Sequence, residues 1–449
     1  MVFLFAFVSF VSARPGAQEG HPLTGTWTGD VGARHVTVAL EWDGKTIIGT
    51  INPGPNAAKI TAATMDVSDI STWTIHIEAE GKERVAVDGR ITHITSPGRT
   101  LSGTWTEAGV RSPITLARVD ATSSSSNSGD APRAIVYGGA HLTLRGKVTG
   151  VEWINPRVRF AVSDRASRRK WTIELPDGAT ALERSGYGAG SLKVGDVVTV
   201  RAVAAPAERN RALASAVTAG RGGALLFKLS VTTHRTDGPV PRWPDGHVQL
   251  GPPPGSRGYW KADVAELDLT NLKAGQLAAM PWAKAVYAGR QLAKLRDDPF
   301  ERCVPPGGPR QFLGPQGFQF VDLHTRVLVL LGDGNRNWRI IHTDGRPLAE
   351  SADAVPSYYG TSVGRWDGDA LVVDSVGYNE KFWFHRGGLP HTEALHLTER
   401  FTRTDLSTLK YEVTVDDFRT YTKPWTMNYT MRWVAGQELQ EFFCEEKTS

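Results

Sequence analysis

Hydrophobic and polar residues alternate with a period of two along much of the chain, which is typical of β-strands that bury one face. Because only short turns join the first stretches, adjacent strands are expected to pair antiparallel. LTGTW (23–27) is echoed by LSGTW (101–105), which suits a sheet that closes on itself. Residues 21–119 therefore predict a small β-barrel with a Gly-x-Trp plug at one end, and this pattern resembles the lipocalin type. Its alternating stretches are HVTVAL (35–40), TIIGTI (46–51), WTIHIEA (73–79), RVAVDGRI (84–91) and ITLARV (114–119).

The middle of the chain carries a second set of alternating stretches. Five strands with one short helix predict an oligonucleotide/oligosaccharide-binding (OB) type of barrel over residues 136–230. Four of the stretches are LTLRGKVTGVEW (142–153), VRFAV (158–162), RKWTIEL (169–175) and SLKVGDVVTVRAV (191–203), with the helical stretch ATALERSGY (179–187) before the last of these.

The last part of the chain, 256–446, begins with a helical periodicity between about 271 and 295 and continues with strands. Eight strands at hairpin spacing predict a barrel or a strongly curved antiparallel sheet. They are GFQFVDL (317–323), RVLVLLG (326–332), WRIIHT (338–343), ALVVDSVGY (370–378), LHLTERFTR (395–403), TLKYEVTV (408–415), WTMNYTMRW (425–433) and ELQEFFCEE (438–446). The predicted fold class is thus mainly β, with three modules of antiparallel sheet or barrel and a helix leading the last.

Two segments between the modules have the composition of linkers. Residues 120–135 are rich in Ser, Gly and Pro and cannot bury a core. Residues 231–255 contain Pro252, Pro253 and Pro254 in a row, which favours an extended and semi-rigid chain.

The N-terminus predicts export. MVFLFAFVSFVSA (1–13) is apolar but too short to span a bilayer, so residues 1–20 are interpreted as a signal peptide, with a buried first strand as the alternative. The expected location is periplasmic or secreted. Cys303 and Cys444 are the two cysteines, and an even pair in an exported chain predicts one disulfide, against the alternative of two buried free thiols.

Positive charge is concentrated in the middle module. Residues 141–228 hold 15 Lys and Arg against 7 Asp and Glu, whereas the whole chain has a net charge of only +4. A basic OB-type barrel can bind nucleic acid, but the aromatic platform is thin and export removes most such partners. A solvated basic face, or peripheral contact with an anionic envelope surface of lipid headgroups or acidic glycans, is therefore favoured over nucleic acid.

Residues 140–446 resemble a group of uncharacterised exported bacterial proteins in which two domains of unknown function follow one another. The middle module is similar through GKVTGVEWINPRVRF and LKVGDVVTV. The last module is similar through CVPPGGPR (303–310), IIHTDGRP (340–347), GRWDGDALVVDSVGYN (364–379), PHTEALHLTERF (390–401) and TYTKPW (420–425). The resemblance implies no reaction, and the first module lies outside it.

The densest polar group is the spelling H-x-E-x-x-H from His391 to His396. A zinc motif needs histidines four residues apart on a helix, and in a strand this odd offset places the two rings on opposite faces. A strand reading instead places His391 and Glu393 on one face, where they predict an acid/base dyad in a cavity. The alternative is a loop of solvated charges at the start of the strand.

Asp374 lies within an apolar strand and, by alternation, shares a face with Tyr378. A carboxylate there is expected to be buried and to need a partner, which Arg339, Arg365 or Arg400 can supply. The functional interpretation is an acid or base of raised pKa in a pocket, with Tyr378 beside it. The structural alternative is a buried Asp–Arg or Asp–Tyr pair.

Aromatic residues crowd the last module, and aromatic-lined barrels hold apolar rings or sugar faces well. Trp383, beside Gly387 and Gly388, is expected on a rim loop. Trp366, Trp383, Arg339 and Arg400 form the predicted ligand-binding set.

Three hypotheses follow. The first is an exported protein that binds a small aromatic, lipid-like or glycan ligand in the last barrel. The second is an enzyme in the same cavity, performing hydrolysis, elimination or isomerisation through His391, Glu393 and Asp374. The third is a non-catalytic envelope accessory protein whose modules dock to partners. No motif indicates a cofactor or a metal, and the sequence leaves the oligomeric state open.

Overall fold

The computed structural model describes residues 20–439 except for 71, 93, 95–98, 120–140, 154–157, 176–181, 183–186, 206–208, 220–223, 229–237, 263–276, 294–296, 315, 333–336, 351–352, 384 and 386. Within these residues the fold is mainly β, which confirms the predicted fold class. The described residues contain no helix with the length and hydropathy that a membrane crossing requires.

The first barrel is a closed antiparallel sheet in which each strand pairs with the next and the last pairs with the first. Trp27 opposes Arg118 where the ring closes. The side chains of Trp27, Trp73 and Trp105 fill the interior, so it is a packed core. The strands are β1 (Gly25–Val31), β2 (Arg34–Trp42), β3 (Ile47–Ile51), β4 (Ala58–Asp66), β5 (Trp73–Glu80), β6 (Arg84–Thr92), β7 (Thr100–Glu107) and β8 (Val110–Arg118).

The second barrel has the strand order β11-β10-β9-β12-β13-β14. A parallel pairing of β11 with β13 joins five of these strands into a ring, which is the arrangement of an OB-like barrel. Its strands are β9 (His141–Glu152), β10 (Arg159–Asp164), β11 (Lys170–Glu174), β12 (Val197–Ala204), β13 (Arg211–Ala219) and β14 (Ala224–Lys228). The helix predicted at 179–187 lies mostly outside the described residues.

The third barrel is closed by pairing of its first and last strands. All neighbours are antiparallel except β18 and β19. Its elements are β15 (Gly258–Ala262), α1 (Pro281–Leu292), β16 (Phe318–Asp322), β17 (Arg326–Leu331), β18 (Trp338–His342), β19 (Thr361–Asp367), β20 (Ala370–Val376), β21 (His396–Asp405), β22 (Thr408–Asp416) and β23 (Trp425–Ala435), with 3₁₀ turns at Pro299–Arg302 and Gly308–Phe312.

The predicted helix is shorter than its periodicity suggests. Pro281 occupies the first turn, where its missing N–H is no loss, and Ala279 just before it forms a β-bridge with Tyr421. The predicted strands missed β15 and β19, and most of the stretch predicted at 438–446 lies outside the described residues.

Barrels one and three share one continuous hydrophobic cluster, whereas barrel two has a core of its own. Part of the segment expected as a Pro-rich linker packs on barrel three, where Leu250 is buried and its carbonyl oxygen accepts a 2.7 Å hydrogen bond from the Trp260 indole.

Candidate functional site

Two of the predicted site residues, Arg339 and Tyr378, lie in one buried polar network inside barrel three. Arg339 and Glu399 form a bidentate ion pair between β18 and β21, with both side chains almost fully buried. Arg339 also donates to the hydroxyls of Ser362 (3.0 Å) and Ser375 (2.7 Å). Burial opposes the guanidinium charge, but attraction to Glu399 prevails and holds the pKa of Arg339 above its ordinary value. Tyr378 lies within electrostatic reach of this pair, and burial raises its pKa.

The interior that was expected to hold a ligand is occupied by the ring of Phe312. This residue ends the 3₁₀ turn Gly308–Phe312 and is fully buried. Its ring centroid lies 4.8 Å from that of Phe318, 5.0 Å from Tyr411 and 5.3 Å from Phe401. The segment that begins with CVPPGGPR therefore plugs the barrel with an aromatic side chain.

The predicted position of Asp374 in a cavity is wrong. Its neighbours Val373 and Ser375 occupy the interior face of β20, and the Asp374 side chain is 28% exposed on the outer face. There it accepts a 2.8 Å hydrogen bond from Thr398 and lies 3.3 Å from the Arg365 guanidinium, which is one of the partners expected for it. The alternation failed because β20 is apolar on both faces, so its sequence does not mark which face is inside.

Trp366 and Arg400, from the predicted ligand-binding set, lie on opposite faces of the sheet, since Trp366 is opposite Leu371 and Arg400 is opposite Val372 in the pairing with β20. Trp366 packs its half-buried ring 5.1 Å from that of His247, and Arg400 pairs with Asp367 at 2.7 Å on the surface. Trp366 thus faces inward at the hairpin end of β19 and packs against the core, whereas Arg400 faces outward. Ligand binding by Arg339, Trp366 and Arg400 in one cavity is therefore not supported by their positions.

His391 and Glu393 precede β21 and do not belong to it, so the predicted shared strand face is wrong. His391 is fully buried, with its Nε2 atom 3.0 Å from the Phe382 carbonyl oxygen and its ring 4.5 Å from that of Phe382. Burial lowers the pKa of His391. The loop alternative fits the backbone, but His391 is not solvated.

Trp383 is buried rather than displayed on a rim loop. The guanidinium of Arg290, on α1, lies 4.6 Å above its ring. Arg290 also donates a 3.0 Å hydrogen bond to the carbonyl oxygen of Gly388, which fastens this loop to the helix. The position indicates a structural cation–π contact.

A carboxylate that the sequence did not single out, Glu380, lies at the junction of barrels one and three. Its Oε1 atom accepts a 2.9 Å hydrogen bond from the Glu393 backbone N–H, and its Oε2 atom has no hydrogen-bond partner among the described residues. Burial, with a contribution from the Glu393 carboxylate, raises the pKa of Glu380 to about 8. The nearby Asp417 differs, because the hydroxyls of Thr392 and Thr420 satisfy it at 2.8 and 2.7 Å.

Barrel one contributes His21 to the same junction. The imidazole stacks on Trp42 of β2 at 4.8 Å and meets the edge of Trp282 of α1 at 4.9 Å. The indoles of Trp42 and Trp282 both donate to one acceptor, the carbonyl oxygen of Arg419, at 2.8 and 3.1 Å. Burial, aided by Arg99 and Arg118, holds the pKa of His21 well below its ordinary value. These contacts join the two barrels through an aromatic seam, formed by His21, Trp42 and Trp282 around the Arg419 carbonyl.

The predicted catalytic residues therefore lie in separate environments. Asp374 is on the outer surface, Tyr378 faces the interior network, and His391 with Glu393 lies near the junction. Cys303 ends the 3₁₀ turn Pro299–Arg302, but Cys444 lies outside the described residues, so their disulfide stays a prediction. Among the described residues, no group of three or more His, Cys, Asp or Glu side chains is placed to hold a metal ion.

A trough of about 540 Å³ crosses the outside of barrel one between β4 and β7. Its histidine, His76, is paired at both ring nitrogens, with Asp88 at 2.6 Å and Glu78 at 3.5 Å. The hydrogen bond to Asp88 raises the pKa of His76. His76 is thus part of an exposed cluster with two carboxylates.

Barrel two carries a group of exposed cations on one surface, and we call this surface the basic face. Lys147 on β9 lies opposite Ser163 of β10 and Val197 of β12, while Lys170 of β11 lies opposite the other side of Ser163. The two lysines are thus about 10 Å apart across the sheet. The basic face consists of the exposed residues Arg145, Lys147, Arg165, Arg168, Arg169, Lys170 and Lys193.

The acidic residues near the basic face accept hydrogen bonds from nearby backbone N–H groups and from a serine hydroxyl. Asp164 is buried, and its carboxylate accepts hydrogen bonds from the Arg145 N–H (3.0 Å), the Ser167 N–H (2.8 Å) and the Ser167 hydroxyl (2.7 Å). Asp196 accepts from the Lys193 N–H at 2.8 Å. No side chain of the basic face forms an ion pair with any described residue, so its cations face solvent. The charge excess of this module was predicted from composition, but the residues that share a face were not.

Comparison with known proteins finds a likeness for one part of the chain. A family of unknown function (DUF6152) matches residues 111–213, from the last strand of barrel one into β13 of barrel two. Searches of curated proteins and of solved structures found no match to the chain. The chain thus contains a region similar to a domain of unknown function, in the module that carries the basic face.

Proposed function

We propose that this protein is a non-catalytic docking protein of the cell envelope that binds polyanions through the basic face. The observation that carries the proposal is the set of exposed cations on one face of barrel two with no ion pair to any described residue. Like charges held together by a rigid sheet repel one another, and a polyanion relieves that repulsion while releasing its own counterions.

The hairpin between β10 and β11 supports the same proposal. Arg168 has a φ of 52° at this turn, a conformation that glycine or asparagine adopts at lower cost. Its side chain is exposed. A role for the exposed guanidinium would account for a bulky cation in this left-handed conformation.

An envelope location rests on the N-terminal apolar run and on the resemblance of residues 140–446 to exported bacterial proteins. An enzymatic function is less well supported, because the residues proposed for it are dispersed over three environments. The third hypothesis from the sequence, an accessory protein that docks, therefore fits the positions of the side chains best.

Ligand binding in barrel three remains a second candidate because of Phe312. The chain itself places an aromatic ring, carried by a segment outside the sheet, in a cage of Phe318, Phe401 and Tyr411. A small aromatic ligand has the shape that this cage accepts, but it requires Phe312 to leave.

The docking proposal is tested by titrating the full chain with heparin, a soluble polyanion, at several salt concentrations. We expect salt-dependent binding that Lys147→Gln with Lys170→Gln weakens by about tenfold at low salt. The matched control is Lys59→Gln with Lys82→Gln, which removes the same charge from exposed positions on barrel one. Equal losses in both pairs of substitutions would show attraction to net charge alone and would contradict a dedicated face.

A further inference from the structure

Two exposed valines lie against the basic face. Val194 is 65% exposed at the turn before β12, and Val197 is 45% exposed on β12 itself. Val197 opposes Lys147 in the sheet register. The Lys147 side chain also reaches the turn, because a Cβ built on Gly195 would lie 3.9 Å from its Cε atom. The valines and the lysines therefore form one continuous surface.

The turn holds Val194 outward by its own hydrogen bonds. The Gly195 N–H donates to the Val148 carbonyl oxygen at 2.9 Å, and the Val148 N–H donates to the Asp196 carbonyl oxygen at 2.8 Å. Gly195 adopts a φ of 104°, which only glycine tolerates easily. The apolar side chain is thus presented by a defined turn next to Lys193.

We infer that the polyanion bound by the basic face is an anionic lipid surface, with the cations on the headgroups and Val194 in the interfacial layer; this inference rests on the proposed docking function. Lysine and arginine are attracted to anionic leaflets, and an apolar side chain gains by leaving water for the acyl boundary. A soluble glycan or a nucleic acid offers the same charge but no apolar layer for the valines. The thin aromatic content of the face also disfavours stacking on bases.

The geometry of the sheet fits a planar partner. The cations are distributed over β9, β10–β11 and the turn before β12, which are neighbouring strands and their connections. The Arg165 N–H donates to the Arg145 carbonyl oxygen at 2.8 Å, which fixes the hairpin to β9. Because the backbone sets these positions, several cations can meet a flat surface together without ordering a flexible segment.

The test is sedimentation of the full chain with vesicles of phosphatidylcholine alone or of phosphatidylcholine with phosphatidylglycerol, alongside heparin titration. We expect the chain to sediment with the vesicles that contain phosphatidylglycerol and not with vesicles of phosphatidylcholine alone. Lys147→Gln with Lys170→Gln should lower the partition coefficient about 30-fold. Val194→Ser should lower it about fivefold while heparin affinity stays unchanged. Lys59→Gln with Lys82→Gln is the charge control.

The outcomes separate the inference from the proposed function. Binding to heparin without binding to anionic vesicles overturns the lipid inference and leaves polyanion docking standing. Binding to neither overturns both. Vesicle binding that Val194→Ser does not change overturns the interfacial contact, and equal binding to both kinds of vesicle overturns the role of the headgroup charge.

Discussion

At the residue scale, this chain buries ionisable side chains in two different environments. Arg339 and Glu399 are buried together, and each supplies the charge that the other needs. Glu380 is buried with one oxygen bound to a backbone N–H and the other without a partner among the described residues. In the first arrangement each charge is compensated by the other, whereas the second favours the protonated carboxyl.

Because the pKa of Glu380 is raised, we expect the stability of the protein to fall as the pH rises. Its pKa is about 8 in the folded protein against an ordinary value of 4.5. Between these two values the folded state holds a proton that the unfolded chain has lost, so stability declines through that range. The loss is about 1.4 kcal/mol for each pKa unit of difference.

The measurement is the free energy of urea unfolding across this pH range for wild type and Glu380→Gln. The glutamine keeps the carbonyl acceptor for Glu393 and removes the titration, so its profile should be flatter. Glu80→Gln, at an exposed position of barrel one, is the control and should follow wild type. Parallel profiles for wild type and Glu380→Gln would contradict the assigned burial.

The Arg339–Glu399 pair predicts a large effect when only one partner is changed. Glu399→Gln leaves a buried guanidinium uncompensated and should destabilise the protein by about 3–5 kcal/mol. The double variant Arg339→Met with Glu399→Leu should recover most of that loss. The matched control is Asp367→Asn in the exposed Arg400–Asp367 pair, which should have a much smaller effect. A loss from Glu399→Gln no larger than that control would rule out the buried pair as drawn.

Individual site residues were the part of the molecule that sequence could predict least. Arg339 was selected for ligand contact and is instead held by Glu399, a residue 60 positions away. Asp374 was assigned to the interior because alternation gives the spacing of faces but not which face is inside. Glu380 and His21 had no local signal, since their burial depends on contact between two barrels.

At the scale of elements, alternation located most strands because closed barrels keep one face of each strand in the core. It missed β15, which is short, and β19, which has Gly364 in the middle of its pattern. The predicted stretches also did not include β4, β13 or β14. The helix α1 was extended too far because alanines continue the periodicity before Pro281. The plug at Gly308–Phe312 had no signal in the sequence pattern, because no periodicity marks a ring that enters a barrel from outside the sheet.

Phe312→Ala should destabilise barrel three by about 3–5 kcal/mol and leave an aromatic-lined cavity. Because such cavities bind small aromatic molecules, added benzene should raise the melting temperature of this variant and not of wild type. Trp338→Ala, at a position 61% exposed on the same barrel, is the control and should do neither. A small loss of stability without benzene binding would contradict the plug.

At the scale of the whole molecule, three predicted modules form two cores. Barrels one and three share a hydrophobic cluster and the seam at Arg419, while barrel two packs on its own. This arrangement gives the first module a structural position that its sequence did not reveal. It also leaves barrel two as the module with a charged surface unclaimed by its neighbours.

Calorimetry of the full chain should therefore show two unfolding transitions, one for barrels one and three together and one for barrel two. Trp42→Ala removes the stacking partner of His21 and one donor to the Arg419 carbonyl. It should lower the unfolding free energy of the first transition by about 2 kcal/mol or more and leave the second transition unchanged. Trp153→Ala, in barrel two, is the reciprocal control and should lower only the second. Three separate transitions in wild type would refute the shared core.

The most direct test of the account is a lysine footprint of the full chain with and without heparin, read by acetylation and mass spectrometry. We expect bound heparin to protect Lys147, Lys170 and Lys193 of the basic face. Exposed lysines of the other barrels, Lys59, Lys82 and Lys410, should acetylate at the same rate in both samples. Equal protection of all six lysines, or protection confined to barrels one and three, would contradict the basic face as the docking surface.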